Sequence, residues 1–138
     1  MILDIMADAS SSDTTAPLPL GNTMNVRTAI LTPEILDPKQ IIDGNPQVSC
    51  LILSDDGHVV RGIWKCTRGT VTDIEQDEMF TVIDGRATVV IENGPTLVLL
   101  PGYVGLLTHG AKTTWTIHED IVKTFQITMK PPNTKSNL

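Results

Sequence analysis

Apolar residues along this chain occur in short runs separated by turn-forming residues, and no long stretch repeats them at helical spacing. Within several runs apolar and polar residues alternate, which is typical of β-strands with one buried face. The number and spacing of the runs predict an all-β sandwich or barrel of eight or nine strands. The predicted strands are residues 48–53, 59–66, 78–83, 86–92, 96–100, 104–107, 113–117 and 121–129.

Short turn signals connect several of these strands. Asp56-Gly57 predicts a hairpin between the first two, and Asp84-Gly85 predicts a two-residue hairpin between 78–83 and 86–92. Asn93-Gly94 predicts the next chain reversal. Residues 33–36 give the one helical signal, and we expect a short helix there at most.

The two ends of the chain differ in composition from its middle. Residues 7–23 are rich in Ser, Thr, Asp, Pro and Gly, and residues 130–138 are polar with two adjacent prolines. A chain of 138 residues is sized for one domain. We therefore predict a flexible arm over 1–25, a single folded domain over 26–129 and a flexible tail over 130–138.

Composition excludes several classes of partner. The net charge of −6 and the 4% of aromatic residues argue against a nucleic-acid-binding surface. No apolar run approaches the ~20 residues that span a membrane, and acidic residues stand where a secretory signal would be basic. We expect a cytoplasmic protein in which Cys50 and Cys66 are reduced and buried.

A set of turn and strand residues occurs in a fixed order between positions 43 and 123. The set is Asp43-Gly44-Asn45-Pro46, Asp56-Gly57, Gly62-Ile63-Trp64, Gly69, Asp77-Glu78, Asp84-Gly85, Pro101-Gly102, Gly110, Thr114-Trp115 and Lys123. In this order and spacing the chain resembles the cupin superfamily, and more narrowly the group related to ureidoglycine aminohydrolase and the ethanolamine-utilisation cupin. The resemblance implies a double-stranded β-helix, the RmlC-like jelly-roll barrel.

The metal-binding residues of metal cupins are largely absent from this sequence. The two histidine positions of the first cupin motif fall on Val71 and Asp73, and the histidine position of the second falls on Thr113. Of the usual ligand positions, only Asp73 and Glu78 carry side chains that could bind a metal. Two carboxylates without imidazole make a poor site for a transition metal, so we predict neither a metal nor another cofactor.

Glu78 is the main candidate for chemistry. Strand alternation places it on the same face as Phe80 and Val82, which predicts a carboxylate inside the barrel. Such a carboxylate would suit a general acid or base, with Asp73 as a second candidate. The alternative is that Glu78 lies at the barrel rim, paired to Lys123 or Arg86.

Trp64 and Trp115 are candidate walls of a ligand site, because aromatic rings bind flat or apolar molecules well. The alternative is that each fills the core of a chain with few aromatic residues. The remaining ligand-binding candidates are Phe80, Tyr103, His109, Thr113 and Lys123.

Three functions remain open from the sequence. The first is a small-molecule-binding cupin without a metal, in which Glu78 and Asp73 catalyse proton transfer in an isomerase, cyclase or lyase type of reaction. The second is a non-catalytic ligand-binding or regulatory module. The third is a metal-dependent hydrolase similar to ureidoglycine aminohydrolase. The exposed sheet edges of a small jelly roll also predict a homodimer.

Overall fold

Nine antiparallel strands and two short 3-10 turns make up the computed structural model of this protein, which describes residues 17–130. The strands are β1 (Thr32–Glu34), β2 (Ile41–Gly44), β3 (Val48–Asp55), β4 (Val59–Cys66), β5 (Gly69–Ile74), β6 (Asp77–Ile91), β7 (Thr96–Leu99), β8 (Val104–Leu107) and β9 (Lys112–Thr128). The 3-10 turns are Val26–Thr28 and Pro38–Gln40. In the described range no helix is long and apolar enough to cross a membrane.

Strands β6 and β9 pair along almost their whole length and connect the two halves of the barrel. In one half the strand order is β8-β6-β9-β4-β3-β1, and in the other it is β7-β6-β9-β5-β2. Each half uses a different segment of the two long strands. The curled antiparallel sheet that results is a jelly-roll barrel, as the sequence predicted.

The hairpin predicted at Asp84-Gly85 is wrong. The chain continues through these residues as the single strand β6, and 113–117 and 121–129 likewise belong to one strand, β9. The pairing of β6 with β9 shifts register around Asp84 and Arg86, where both strands bend from one half of the barrel into the other. Gly85 has φ +92°, and a Cβ there would overlap the carbonyl oxygen of Asp120. Gly85 therefore allows the backbone conformation of a β-bulge, and it is not part of a tight turn.

No helix forms over 33–36, where the sequence allowed a short one at most, because Pro33 and Glu34 belong to β1 and pair with β3. The pattern of exposure follows that extended form, since Ile35 is 97% exposed and Leu36 is buried. The hairpin of β3 and β4 and the reversal at Asn93-Gly94 are confirmed. Strands β2 and β5 did not stand out in the sequence.

The core lies between the two halves, and alternate residues of each strand point into it. On β9 the buried residues are Thr113, Trp115, Ile117, Ile121, Lys123, Phe125 and Ile127. Of the predicted flexible ends, residues 1–16 and 131–138 lie outside the described range. Leu18, which falls within the predicted arm, donates its main-chain N–H to the carbonyl oxygen of Leu53 at 3.0 Å.

Candidate functional site

Four polar side chains are buried among the apolar residues of the barrel interior, and they are Glu75, Glu78, Thr113 and Lys123. None is more than 3% exposed. Polar groups removed from water at this depth are costly unless they are hydrogen-bonded or paired. The way in which these four are paired therefore defines the chemistry of the interior.

Glu78 and Lys123 form a buried ion pair. Lys123 points inward because it stands between Ile121 and Phe125 in the alternation of β9, and Glu78 shares the inward face of β6 with Phe80. The Lys123 Nζ donates to Glu78 Oε2 at 2.6 Å. The other carboxylate oxygen, Oε1, is buried and has no hydrogen-bond partner within residues 17–130. The pair therefore leaves one acceptor unused inside the barrel.

Three aromatic rings surround the ammonium group of Lys123. Its Nζ lies 4.8 Å from the ring centroid of Trp64, 4.8 Å from that of Phe80 and 4.7 Å from that of Trp115. Each distance is within the range of a cation–π interaction, which is strongest away from water. Trp64 and Trp115 also contact each other edge to face, with centroids 5.6 Å apart. The positive charge is thus attracted by three rings and by the Glu78 carboxylate to which it is bonded.

Glu75 organises a second group of hydrogen bonds. Its Oε2 accepts from Thr113 Oγ1 at 2.6 Å and from Trp115 Nε1 at 3.0 Å. Burial raises the pKa of the Glu75 carboxyl, but opposite charge, including that of Lys123, and the Thr113 hydrogen bond bring it below its ordinary value. The sequence analysis missed Glu75. Continuing the alternation from the buried Val71 two residues at a time would have found it.

Trp64 presents an unused donor to the same interior. In the part of the chain that the structure describes, its buried indole Nε1 has no hydrogen-bond partner. A cavity of about 10 Å³, room for about one water molecule, lies beside it. The residues that line the cavity are Leu36, Val48, Trp64, Val71, Thr72, Asp73, Trp115 and Lys123.

Most of the candidates chosen from the sequence come together in this interior, namely Trp64, Phe80, Glu78, Thr113, Trp115 and Lys123. Asp73 lines the cavity, and its Oδ1 accepts from the main-chain N–H of Ile74 at 2.8 Å. Tyr103 and His109 lie apart from it. Tyr103 is 49% exposed, and His109 lies in an exposed turn where its main-chain N–H donates to Asp77 at 2.8 Å.

The side chains at the cupin metal positions do not fit a transition metal. Val71 offers no donor atom, Thr113 donates its hydroxyl hydrogen to Glu75, and Glu78 Oε2 already binds the ammonium of Lys123. Among residues 17–130 no group of three or more His, Cys, Asp or Glu side chains is placed to hold a metal ion. The residues present thus differ from the donor set that such ions prefer.

Comparison with known families and structures agrees with the fold. The sequence pattern of the EutQ-like cupin domain matches residues 53–125. A DUF861-family protein of unknown function from Pseudomonas syringae is 28% identical with a TM-score of 0.66, over 74% of this chain and 46% of that one. The chain thus spans about half the length of that relative.

Two more distant structures share the fold. The EutQ protein of Clostridium difficile is 15% identical with a TM-score of 0.61, over 78% of this chain and 86% of that one. A cupin superfamily protein from Desulfitobacterium hafniense is 12% identical with a TM-score of 0.61, over 86% and 100% of the two chains. A comparison with curated protein sequences gave no match.

Proposed function

The chain belongs to the EutQ-like cupin family, and on this basis we propose that the interior of its barrel binds a small metabolite without a bound metal ion. One observation carries the proposal. The glutamate at the first cupin motif, Glu78, is buried with one oxygen bound to Lys123 and the other without a partner among the described residues. A buried group left unsatisfied in this way costs free energy, which a bound molecule would recover.

In this proposal Glu78 is the general acid or base. Its ion pair with Lys123 holds the carboxylate in one orientation, and the proposal assigns proton exchange with the bound molecule to the other oxygen, Oε1. Asp73, on the wall of the cavity, is the candidate for a second proton transfer. Isomerase, cyclase and lyase reactions of small metabolites need only such proton transfers.

A non-catalytic ligand-binding or regulatory module is the second candidate. The observation that favours it is the short contact of 2.6 Å between Lys123 and Glu78, which lowers the availability of the carboxylate for chemistry. The site would then recognise a metabolite and transmit its presence to a partner protein.

Proton exchange separates the two candidates. Mixtures of small metabolites are incubated with the protein in D₂O, and deuterium incorporation is followed by NMR. Catalysis by Glu78 predicts incorporation that falls at least ~10²-fold in Glu78→Gln and is unchanged in Glu92→Gln, whose side chain is exposed. Saturable binding without any exchange would favour the binding module.

We also propose that the protein is a cytoplasmic homodimer. The central outer face of the β7-β6-β9-β5 half carries no charged side chain, and its residues are Thr70, Thr72, Thr88, Val90, Val98, Thr114 and Thr116. Two copies of a chain of net charge −6 repel each other, so an uncharged face is the surface on which they can best meet. The two buried free cysteines, Cys50 and Cys66, suit a reducing compartment.

A further inference from the structure

The barrel contains a cation that is part of the chain itself. In metal cupins the glutamate of the first motif is a metal ligand, whereas here the corresponding Glu78 binds the Lys123 ammonium at 2.6 Å. The Glu78 carboxylate, which does not fit a transition metal here, is instead bonded to a positive charge that is fixed in the chain, the Lys123 ammonium. Unlike a metal ion, it cannot dissociate.

The hydrogen-bonding capacity of this centre is only partly used. A lysine ammonium has three N–H donors, and among the described residues only Glu78 accepts one from Lys123. Trp64 Nε1 is a second buried donor without an acceptor, and Glu78 Oε1 is a buried acceptor without a donor. The interior therefore offers free donors and one free acceptor around the same ion pair.

The charges around the free atoms favour an uncharged molecule, since the third buried charge, that of Glu75, is already bonded to Thr113 and Trp115. An anionic ligand would lie next to the Glu78 carboxylate, and a cationic ligand would lie next to the Lys123 ammonium. Either would place like charges close together where screening by water is weak. A neutral group that both accepts and donates hydrogen bonds satisfies the free atoms without that cost.

We propose that this site binds a small neutral molecule that carries a primary amide or a closely similar group. Its carbonyl oxygen accepts from Trp64 Nε1 and Lys123 Nζ, and its N–H donates to Glu78 Oε1. Because the cavity holds about one water molecule and Glu78 is not among the residues that line it, the proposal requires the wall of the cavity to move when the ligand enters. This inference rests on the proposed function, since it names the class of molecule that the interior takes.

The indole N–H of Trp64 reports directly on the proposed contact. The sequence has two tryptophans, so a ¹⁵N-labelled sample gives two indole signals, which a Trp64→Phe variant assigns. Titration with acetamide is expected to shift the Trp64 signal saturably, with a dissociation constant of about 1–100 mM for so small a molecule. The Trp115 signal should move less because its N–H already donates to Glu75.

Acetate and methylammonium, titrated to the same concentrations, are the charged controls. No saturable change at Trp64 with acetamide overturns the inference. If acetate or methylammonium binds instead, the interior still takes small molecules, and only the preference for a neutral ligand is wrong. If none of the three changes either indole signal, the inference fails and the proposed function loses its support from this site.

Variants test the two other contacts. Glu78→Gln keeps the shape of the side chain and is expected to weaken acetamide binding about 3- to 10-fold. Lys123→Met combined with Glu78→Gln removes both charges together, which protects the fold, and should weaken binding at least as much. Thr124→Val, on the outer face of β9 beside Lys123, is the matched control and should leave the affinity unchanged. Equal affinities in all of these proteins would contradict the proposed contacts.

Discussion

The buried charges of Lys123 and Glu78 stabilise each other. Both side chains are removed from water, and each is the other's ion-pair partner. Removing water from two charges is expensive, and their attraction compensates for it only while both are present. The three rings around Lys123 add to the attraction but provide no hydrogen bond for Glu78.

Lys123→Met is expected to lower the free energy of unfolding by about 3–5 kcal/mol, since it leaves the Glu78 carboxylate buried and unpaired. Adding Glu78→Gln should restore much of the loss. The measurement is denaturant unfolding of the single and double variants, with the exposed Lys112→Met as the control, expected within about 0.5 kcal/mol of wild type. A double variant less stable than Lys123→Met would contradict this account.

The two buried cysteines are expected to make the free energy of unfolding depend on pH in the alkaline range. Burial, with a smaller contribution from Asp120, raises the pKa of Cys66 to about 12, and burial also raises the pKa of Cys50. Above the pKa of an unfolded thiol, about 8.5, the unfolded chain loses protons that the folded chain keeps. The free energy of unfolding should therefore fall by up to ~1.4 kcal/mol per pH unit for each thiol as pH rises from about 9 to 11.

A Cys50→Ala, Cys66→Ala double variant is the test, with unfolding measured at several pH values. Its stability should fall less steeply across this window than that of the wild type, whatever its absolute value. Equal slopes in the two proteins would show that the thiols do not cause the dependence.

Single residues of the site could be predicted only where strand alternation was clear. Phe80 and Val82 fix the inward face of β6, so alternation favoured a Glu78 inside the barrel, but the sequence left open a rim position paired to Lys123, and that pairing occurs in the interior. Alternation continued from Val71 points Glu75 inward, but the acidic residues around it resemble a solvated turn, and its hydrogen bonds to Thr113 and Trp115 could not be foreseen from the sequence. The aromatic surroundings of Lys123 could not be foreseen, because its three rings come from three different strands.

Among the elements, the bend of β6 against β9 decides how the barrel closes. The sequence indicated a chain reversal at Asp84-Gly85, because Asp-Gly favours both a hairpin turn and a bulge with positive φ. The choice between them depends on the pairing with β9, a strand more than twenty residues further along the chain. Local residue preferences cannot decide it.

Gly85→Ala and Gly57→Ala form a matched pair of variants that isolates the close approach of Gly85 to the main chain of β9. Both glycines have positive φ, +92° and +85°, but a Cβ at Gly85 would meet main-chain atoms of Asp120 and Ile121, whereas nothing lies within 4 Å of one at Gly57. We expect Gly57→Ala to cost about 1–2 kcal/mol and Gly85→Ala roughly 4 kcal/mol or more, measured by chemical denaturation. Similar costs for the two would show that the bend tolerates a side chain.

For the whole molecule, the outer face of the β7-β6-β9-β5 half determines the expected association. Val98 lies on that face and is 56% exposed, while Val104 is 61% exposed on β8 in the other half. Light scattering after gel filtration should give a dimer for wild type and Val104→Glu, and a monomer for Val98→Glu, because the new charges would face each other. A dimer that survives Val98→Glu would exclude this face.

We also expect chelators to leave the stability of the whole protein unchanged. Because the cupin metal positions hold Val71, Asp73 and Thr113, we expect less than one equivalent of any transition metal in the purified protein. Incubation with EDTA should leave the melting temperature unchanged. Stoichiometric manganese, iron, nickel or zinc by elemental analysis would contradict the expectation.

The position of β9 has a consequence for synthesis of the chain. This strand pairs with β4, β5 and β6, yet it is the last of the nine to be translated. Until Thr128 has left the ribosome, those three strands lack the neighbour that closes the sheet, and their apolar faces remain exposed. A pause in translation before residue 112 would therefore prolong the period in which the nascent chain is exposed to aggregation.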